Sequence, residues 1–311
     1  MSDTCRIAGV AASTGGGQPK ATSFAYGHAY QEQQAAKYRN RKTNDWQRRI
    51  ELAQRLMERH ARPRFGGRPA ADIVIGDIGC SIGTFAIEFA KLGYRAYGVD
   101  FDPMAIDAAR RLAAAEGVEP TFLCGDVSDE ASGWPALDVA LCFDLFEHLH
   151  DDELGVLLQA LKRRLSPDGC LLFHTFPTQF DELFFGPAWL RWPLLPFAWL
   201  PPQAFDRIVK AYASAVDIGL IVARGGTWRE LKKRTSHCNP LTTERLADIF
   251  TRAGYVLIEL ESGQLYRAHG WTRGWFARQP ISHRNLYGAA VPAARAIGQC
   301  LRDTAGRQDA T

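Results

Sequence analysis

Hydrophobic and polar positions follow a regular α/β pattern through residues 72–177. An apolar run at residues 73–75, bounded by turn residues, predicts a buried parallel strand. A glycine-spaced turn follows, and then apolar positions recur at helical intervals until Gly93, a residue type common just past a helix end. A strand, a tight glycine turn and a helix form the first half of a nucleotide-binding βαβ unit.

The same pattern predicts the later elements. Further strands are expected at residues 95–99, 122–124, 139–143 and 170–176, with helices opening at Pro103 and covering residues 151–165. After a helix capped by Thr242, we expect a sixth strand at residues 255–260 and a seventh at residues 264–268. Residues 285–311 are Ala-rich, which favours a helix followed by a polar tail.

Before this region, five apolar residues share one face of a predicted helix: Trp46, Ile50, Ala53, Leu56 and Met57. After the fifth strand, residues 183–200 are mainly apolar but are interrupted by Arg191 and by prolines. A membrane-spanning helix needs about 20 uninterrupted apolar residues, so this segment is not expected to span a membrane. It fits a lid over a bound molecule, a homodimer interface, an in-plane membrane contact or plain core packing, and we favour the lid.

Composition excludes several classes of protein. Of 311 residues, 46% are hydrophobic and 23% are charged, which is typical of a globular chain and not of disorder. A net charge of +3 gives no dense basic surface, so no nucleic-acid partner is expected. The seven cysteines contain no C-x-x-C pair, and residues 1–20 do not have the pattern of a signal peptide. These features favour reduced thiols and a cytoplasmic location.

The glycine turn carries its own chemistry. Its spacing is not the G-x-G-x-x-G of dinucleotide-binding proteins, and Asp77 is expected inside the turn. A carboxylate there would repel phosphates but suits a ligand with a cationic amine. Asp100 follows the second predicted strand, 21 positions after Gly79, where a carboxylate can accept both hydroxyls of a ribose.

Four segments in order resemble class I S-adenosylmethionine (SAM) dependent methyltransferases. Residues 76–83, GDIGCSIG, resemble motif I, with Ser81 in place of its middle glycine. Residues 98–102 resemble the ribose-binding motif, and residues 124–127 the adenine-contacting motif. Residues 137–149 resemble the fourth-strand signature that ends in E-H-L.

The resemblance implies SAM as cofactor and a Rossmann-like, doubly wound, seven-stranded sheet of order 3-2-1-4-5-7-6. Together with the composition, it divides the chain into six expected segments. These are a mobile tail (residues 1–21), a helical cap (22–71), the SAM-binding core (72–177), a lid on the acceptor side (178–240), the completion of the sheet (241–284) and a C-terminal helix with a tail (285–311).

Carried over residue by residue, the resemblance implies a cofactor site. Asp77 and the glycines would shape the methionine pocket, Asp100 would hold the ribose, and Asp126 would accept from the adenine amine. In the cap, Tyr26, Tyr38 and Arg39 are candidates for contact with the methionine end or the acceptor. The predicted cofactor-binding residues are Asp77, Gly79, Cys80, Ser81, Gly83, Asp100, Phe101, Asp126, Val127 and Phe143.

The catalytic residues follow from what methyl transfer requires. A methyl group on a sulfonium leaves a neutral thioether behind, so no acid is needed, and a base is needed only if the acceptor must lose a proton. Candidates at the end of the fourth strand are Asp144, Glu147 and especially His148, which titrates near neutrality. His174 and His237 are alternative bases. No metal site is predicted.

The resemblance implies a methyltransferase that acts on a small or medium-sized molecule, with a hydroxyl oxygen on a bulky apolar, lipid-linked or glycosidic acceptor favoured. One alternative is an RNA methyltransferase, for which the basic clusters at residues 48–49 and 232–234 could serve. The other is a non-catalytic protein with this fold that acts through its apolar insertion.

Overall fold

A computed structural model describes residues 27–43, 45–127, 133–175, 188–224, 239, 241–263 and 285–294. It contains one seven-stranded sheet of order β3-β2-β1-β4-β5-β7-β6, which confirms the predicted fold class. The strands are β1 Val74–Ile78, β2 Arg95–Asp100, β3 Thr121–Cys124, β4 Leu137–Phe143, β5 Leu165–Thr175, β6 Tyr255–Gly263 and β7 Asn285–Pro292. The first five pair in parallel, and β7 runs antiparallel to both β5 and β6.

The seventh strand is Asn285–Pro292, so the expectation of a strand at residues 264–268 and of a helix from residue 285 was wrong. Residues 264–284 lie outside the described part of the chain. All eight residues of β7 are buried, which removes the polar alternation that marks a half-exposed strand. Gly288 allows a close approach of strands, because a Cβ there would lie 1.9 Å from the Glu259 carbonyl oxygen.

The helices are α1 His28–Arg39, α2 Trp46–Leu56, α3 Thr84–Lys91, α4 Pro103–Ala115, α5 Asp151–Arg164, α6 Pro202–Arg224 and α7 Thr243–Arg252. They cover both faces of the sheet, as the buried parallel strands require. On one face, α2, α3 and α4 share a core with Ile75, Leu141 and Leu172. On the other face, α5 and α7 pack on Ala140 and Phe173.

The first two helices lie in the segment where a helical cap is predicted. Helix α1 contacts α4, and α2 contacts α3 and β5 before it continues as a π-helix, Met57–Ala61. Tyr38 of α1 is fully buried, and its hydroxyl lies 2.8 Å from Lys91 Nζ and also bonds Glu88. It therefore ties the cap to α3, and the expectation that it reaches the cofactor was wrong. Tyr26 lies outside the described residues.

The insertion after β5 contains a 3₁₀ segment, Ala188–Phe197, and helix α6, which share a small core around Leu194 and Phe205. Three tryptophans of this unit are exposed: Trp189 by 59%, Trp192 by 54% and Trp199 by 80%. Among the described residues, no helix combines the length and apolar character that crossing a membrane requires.

Candidate active site

The predicted cofactor residues meet at the carboxyl edge of the sheet. Strands β1, β2, β3 and β4 are adjacent and parallel, so the segments that follow them converge on one edge. Asp100 at the end of β2 lies in register with Cys124 at the end of β3. Asp144 directly follows β4, which neighbours β1.

The turn after β1 requires left-handed backbone at three positions. Gly79, Ser81 and Gly83 have φ of 70°, 47° and 76°. A Cβ at Gly79 would lie 2.8 Å from Leu145 Cδ1, and one at Gly83 would lie 2.5 Å from the Phe122 ring. The turn is therefore held between the ends of β3 and β4, where only glycine fits at these two positions. Ser81 adopts the same conformation with a side chain, which is unfavourable for a non-glycine residue.

The carboxylate of Asp100 fixes this turn. Its Oδ2 accepts a hydrogen bond of 2.8 Å from the Ser81 backbone N–H, and its Oδ1 accepts one of 3.0 Å from the Asp102 N–H. Burial raises the pKa of Asp100 to about 6, although these N–H groups act in the opposite direction. Phe101 beside it is 41% exposed, and an exposed aromatic ring at this edge can stack on a base.

Asp77 lies inside strand β1 rather than in the turn, and it is buried. Its Oδ2 accepts a hydrogen bond of 3.1 Å from the Ala86 N–H in the first turn of α3. Burial raises the pKa of Asp77 to about 7, and the nearby Asp100 charge adds to the rise. The side chain thus connects the strand to the helix start beside the glycine turn.

The other predicted cofactor residues differ in exposure. Cys80 is buried, its N–H donates to the Val99 carbonyl at 2.8 Å, and burial raises the pKa of its thiol. Val127 and Phe143 are also buried, and the Phe143 ring lies 4.7 Å from Phe85. Asp126 is exposed at the end of the β3 segment. Of these four, only Asp126 presents a polar side chain to solvent at this edge.

Asp144 is the centre of a polar network beside the turn. It has a φ of 55°, and its N–H donates to the His174 carbonyl at 2.9 Å. Its Oδ1 lies 2.7 Å from His174 Nδ1, and its Oδ2 accepts from Arg49 of α2. Behind it, His174 Nε2 lies 3.2 Å from Asn285 Oδ1. Burial raises the pKa of Asp144, but the Arg49 charge and His174 outweigh it and hold that pKa at about 2.

The remaining catalytic candidates are placed differently. Glu147 is buried, and its Oε2 accepts a hydrogen bond of 2.7 Å from the Thr175 hydroxyl. His148 is half-buried at the end of the 3₁₀ turn Phe146–His148, and it contributes to lowering the pKa of Asp144. His237 lies outside the described residues. In the part of the chain that is described, no three metal-ligating side chains are grouped as a metal site requires.

Sequence reasoning missed three residues at this edge. Arg49 belongs to a basic pair that fits a solvated helix face, and only its spacing from Trp46 hinted at an inward position. Asn285 was missed because the seventh strand was misplaced. Gln31 of α1 is buried, and its Nε2 lies 3.3 Å from Asp102 Oδ2 while its Oε1 lies 3.5 Å from Ser81 Oγ. No local signal in the sequence marks Gln31.

These residues fit SAM. Asp100 offers a carboxylate for ribose hydroxyls beside the exposed Phe101 ring, next to the glycine turn that its Oδ2 holds through the Ser81 N–H. At the first residue of α3, the buried Thr84 hydroxyl has no hydrogen-bond partner among the described residues. Such a group beside the turn is consistent with a ligand that supplies the missing partner.

Comparison with known proteins identifies the family. The family model described as a methyltransferase domain matches residues 46–260, more than half of the chain. The chain belongs to the class I SAM-dependent methyltransferase family. The match runs from the first residue of α2 into β6.

Two curated relatives show how far this likeness extends. The ubiquinone biosynthesis O-methyltransferase of Azorhizobium caulinodans is 30% identical over 108 residues, which cover 35% of this chain and 42% of that protein. The ribosomal protein L11 methyltransferase of Thermus thermophilus is 37% identical over 118 residues, which cover 38% and 41%. The chain thus matches less than half the length of these relatives, which are named for different acceptors.

Among solved structures, the chain is similar to magnesium protoporphyrin IX methyltransferase from Synechocystis PCC 6803 with bound SAH. The identity is 15% and the TM-score 0.47, with 80% of this chain and 85% of that chain covered.

Proposed function

We propose that this methyltransferase-family chain transfers a methyl group from SAM to an oxygen atom of a small or medium-sized molecule. One observation carries the proposal. The Asp100 carboxylate and the glycine turn, which suit the cofactor, lie along the same sheet edge as Asp144, Arg49 and His148, which suit a polar acceptor. The close contact between Gly79 and Leu145 brings the two groups of residues together.

When bound, SAM supplies a methyl group carried by a sulfonium, and the sulfur is left as a neutral thioether. The residues of the chain then have to hold the acceptor oxygen in line, about 3 to 3.5 Å from that methyl carbon. Asp144 is ionised at neutral pH and bonded to two partners, so it orients other groups instead of removing a proton. Glu147 is buried against Thr175, and His174 is buried with its ring nitrogens bonded to Asp144 and Asn285. His148 is therefore the best placed candidate base among the described residues.

The favoured acceptor is a hydroxyl on a bulky apolar, lipid-linked or glycosidic molecule. The exposed tryptophans of the insertion support this choice, because a lid with apolar surface can cover such a molecule. Several relatives are named as O-methyltransferases, which also supports oxygen as the acceptor atom. The same surface suits contact with a membrane or a second copy. The free thiols of Cys80, Cys142 and Cys170 support a cytoplasmic location.

A labelling experiment tests the proposal. SAM carrying a tritium-labelled methyl group is incubated with the protein and with small-molecule and RNA fractions of a host extract. The expected result is label in a small molecule that mass spectrometry identifies as an O-methylated product. Label in RNA would favour the nucleic-acid alternative, and SAM binding without transfer to any fraction would favour the non-catalytic one.

A further inference from the structure

We propose that Arg49 binds a carboxylate or phosphate group of the acceptor, so that the methylated molecule is an anion. The inference deepens the proposed function and rests on it, since it concerns the acceptor side of the same site. A chain of contacts through three residues from separate parts of the chain positions the Arg49 guanidinium: Asp144 after β4, His174 in β5 and Asn285 in β7.

The guanidinium of Arg49 is held in a defined place. Its side chain is only 18% exposed, and its central carbon lies 5.5 Å from the centre of the Trp46 ring one turn earlier. A cation over an aromatic face is attracted to it, and Asp144 binds Nη1 from the side of the sheet. A guanidinium carries five N–H donors in a planar fork, which matches carboxylate and phosphate geometry.

The backbone conformation and the contacts of Asp144 favour a functional role for its ion pair with Arg49. Its φ of 55° is unfavourable for a residue with a side chain, and its carboxylate is fixed from behind by His174. A partly buried ion pair gives little net stability, because desolvation offsets the attraction. A simple tie between the cap and the core would not need a charged pair.

The position of the pair is next to the cofactor turn. Leu145, which follows Asp144, is the residue that a Cβ at Gly79 would meet at 2.8 Å. Partial burial and the Arg49 charge lower the pKa of Lys37 of α1. Lys37 is therefore a second cation within electrostatic range of Arg49. With the Arg49 charge paired to Asp144, Lys37 and the sulfonium of the cofactor still favour an acceptor that brings negative charge.

An anion-exchange separation tests the inference and does not require a purified acceptor. A host small-molecule extract is split into retained, anionic molecules and unretained ones, and both are incubated with protein and labelled SAM. We expect label in the retained fraction, and we expect Arg49→Gln to lower this labelling about tenfold or more. Arg49→Lys should retain part of it, since lysine keeps the charge but not the planar fork.

Two controls separate recognition from folding. Arg48→Gln changes an exposed arginine on the same helix, and its labelling of the retained fraction should stay within about twofold of that by the unmodified protein. The affinity of Arg49→Gln for SAM should stay within about twofold of that of the unmodified protein. A general collapse of the cap would change this affinity by more. Phosphatase treatment of the retained fraction narrows the kind of anion: lost labelling indicates a phosphate monoester, and persistent labelling indicates a carboxylate or a phosphate diester.

Label that arises from the unretained fraction, or equal labelling by Arg49→Gln, would overturn the inference and leave the proposed methyltransferase activity intact. Absence of label from both fractions would overturn the proposed activity and this inference with it.

Discussion

Asp77 is a carboxyl group that burial leaves poorly solvated, with a pKa raised to about 7. Its ionised form is disfavoured in the folded state, which lowers the free energy of unfolding. This loss is present above the pKa of Asp77 in the folded protein and absent below its pKa in the unfolded chain. Asp77→Asn removes the ionisation and keeps an oxygen for the Ala86 N–H. Its free energy of unfolding, relative to the unmodified protein, should therefore rise by about 2 kcal/mol or more between about pH 5 and pH 8.

Urea unfolding of both proteins across this pH range measures the difference. The exposed Asp107 on α4 offers a control, since Asp107→Asn should show no comparable change with pH. A constant difference between Asp77→Asn and the unmodified protein would show that the Asp77 carboxyl is not disfavoured by burial.

Ser81 occupies a left-handed position where the resemblance expects glycine. Ser81→Gly relieves the side-chain strain but adds freedom to the unfolded chain. Its free energy of unfolding should therefore stay within about 1 kcal/mol of that of the unmodified protein. Ser81→Val places a β-branched side chain in the same conformation and should cost about 2 kcal/mol. Thermal unfolding compares the two variants, and equal stability of both would contradict the strained conformation of this turn.

His148 is the remaining candidate base, beside Asp144 and half-buried. If it takes a proton from the acceptor, His148→Ala should lower turnover by about a hundredfold, within the usual range for loss of a general base, and leave SAM binding unchanged. Turnover with a partly purified acceptor fraction and calorimetric titration with SAM measure the two effects. Turnover at the unmodified rate would leave His148 with a structural role alone.

Local elements were predictable, because their signals lie within a few residues of each other. The strand, glycine turn and helix from β1 to α3 are one continuous pattern, and α5 begins at Asp151 as the charges indicated. Contacts between distant elements were not predictable. The Arg49–Asp144 pair joins residues 95 positions apart, and β7 lacks both alternation and β-branched residues over most of its length.

The contact between α1 and α3 gives a prediction for the cap. Tyr38→Phe keeps the buried ring but removes the hydroxyl that bonds Glu88 and Lys91. The free energy of unfolding should fall by about 1 to 2 kcal/mol, because charged partners lose a buried bond. SAM affinity should not change, since these residues lie away from the glycine turn. A large loss of SAM affinity without loss of stability would return Tyr38 to the cofactor site.

Across the whole molecule, the fold brings residues from many elements to one edge of the sheet. Parallel strands carry Asp100 and Asp144 there, and the cap adds Gln31 and Arg49 from above. The order of the sheet was predictable from family resemblance, because four motifs occurred in sequence. The cap contacts were not, because the helical pattern marks the apolar face of α2 but does not mark Gln31 or pair Arg49 with Asp144.

The most direct test is a calorimetric titration of SAM into the unmodified protein and into Asp100→Ala. If Asp100 holds the ribose and the turn, the variant should bind SAM at least about tenfold more weakly, since charge-assisted hydrogen bonds are the strong ones. Asp107→Ala, which removes an exposed acid from α4, serves as the control and should bind normally. Equal affinity of Asp100→Ala and the unmodified protein would contradict the placement of the cofactor along this edge.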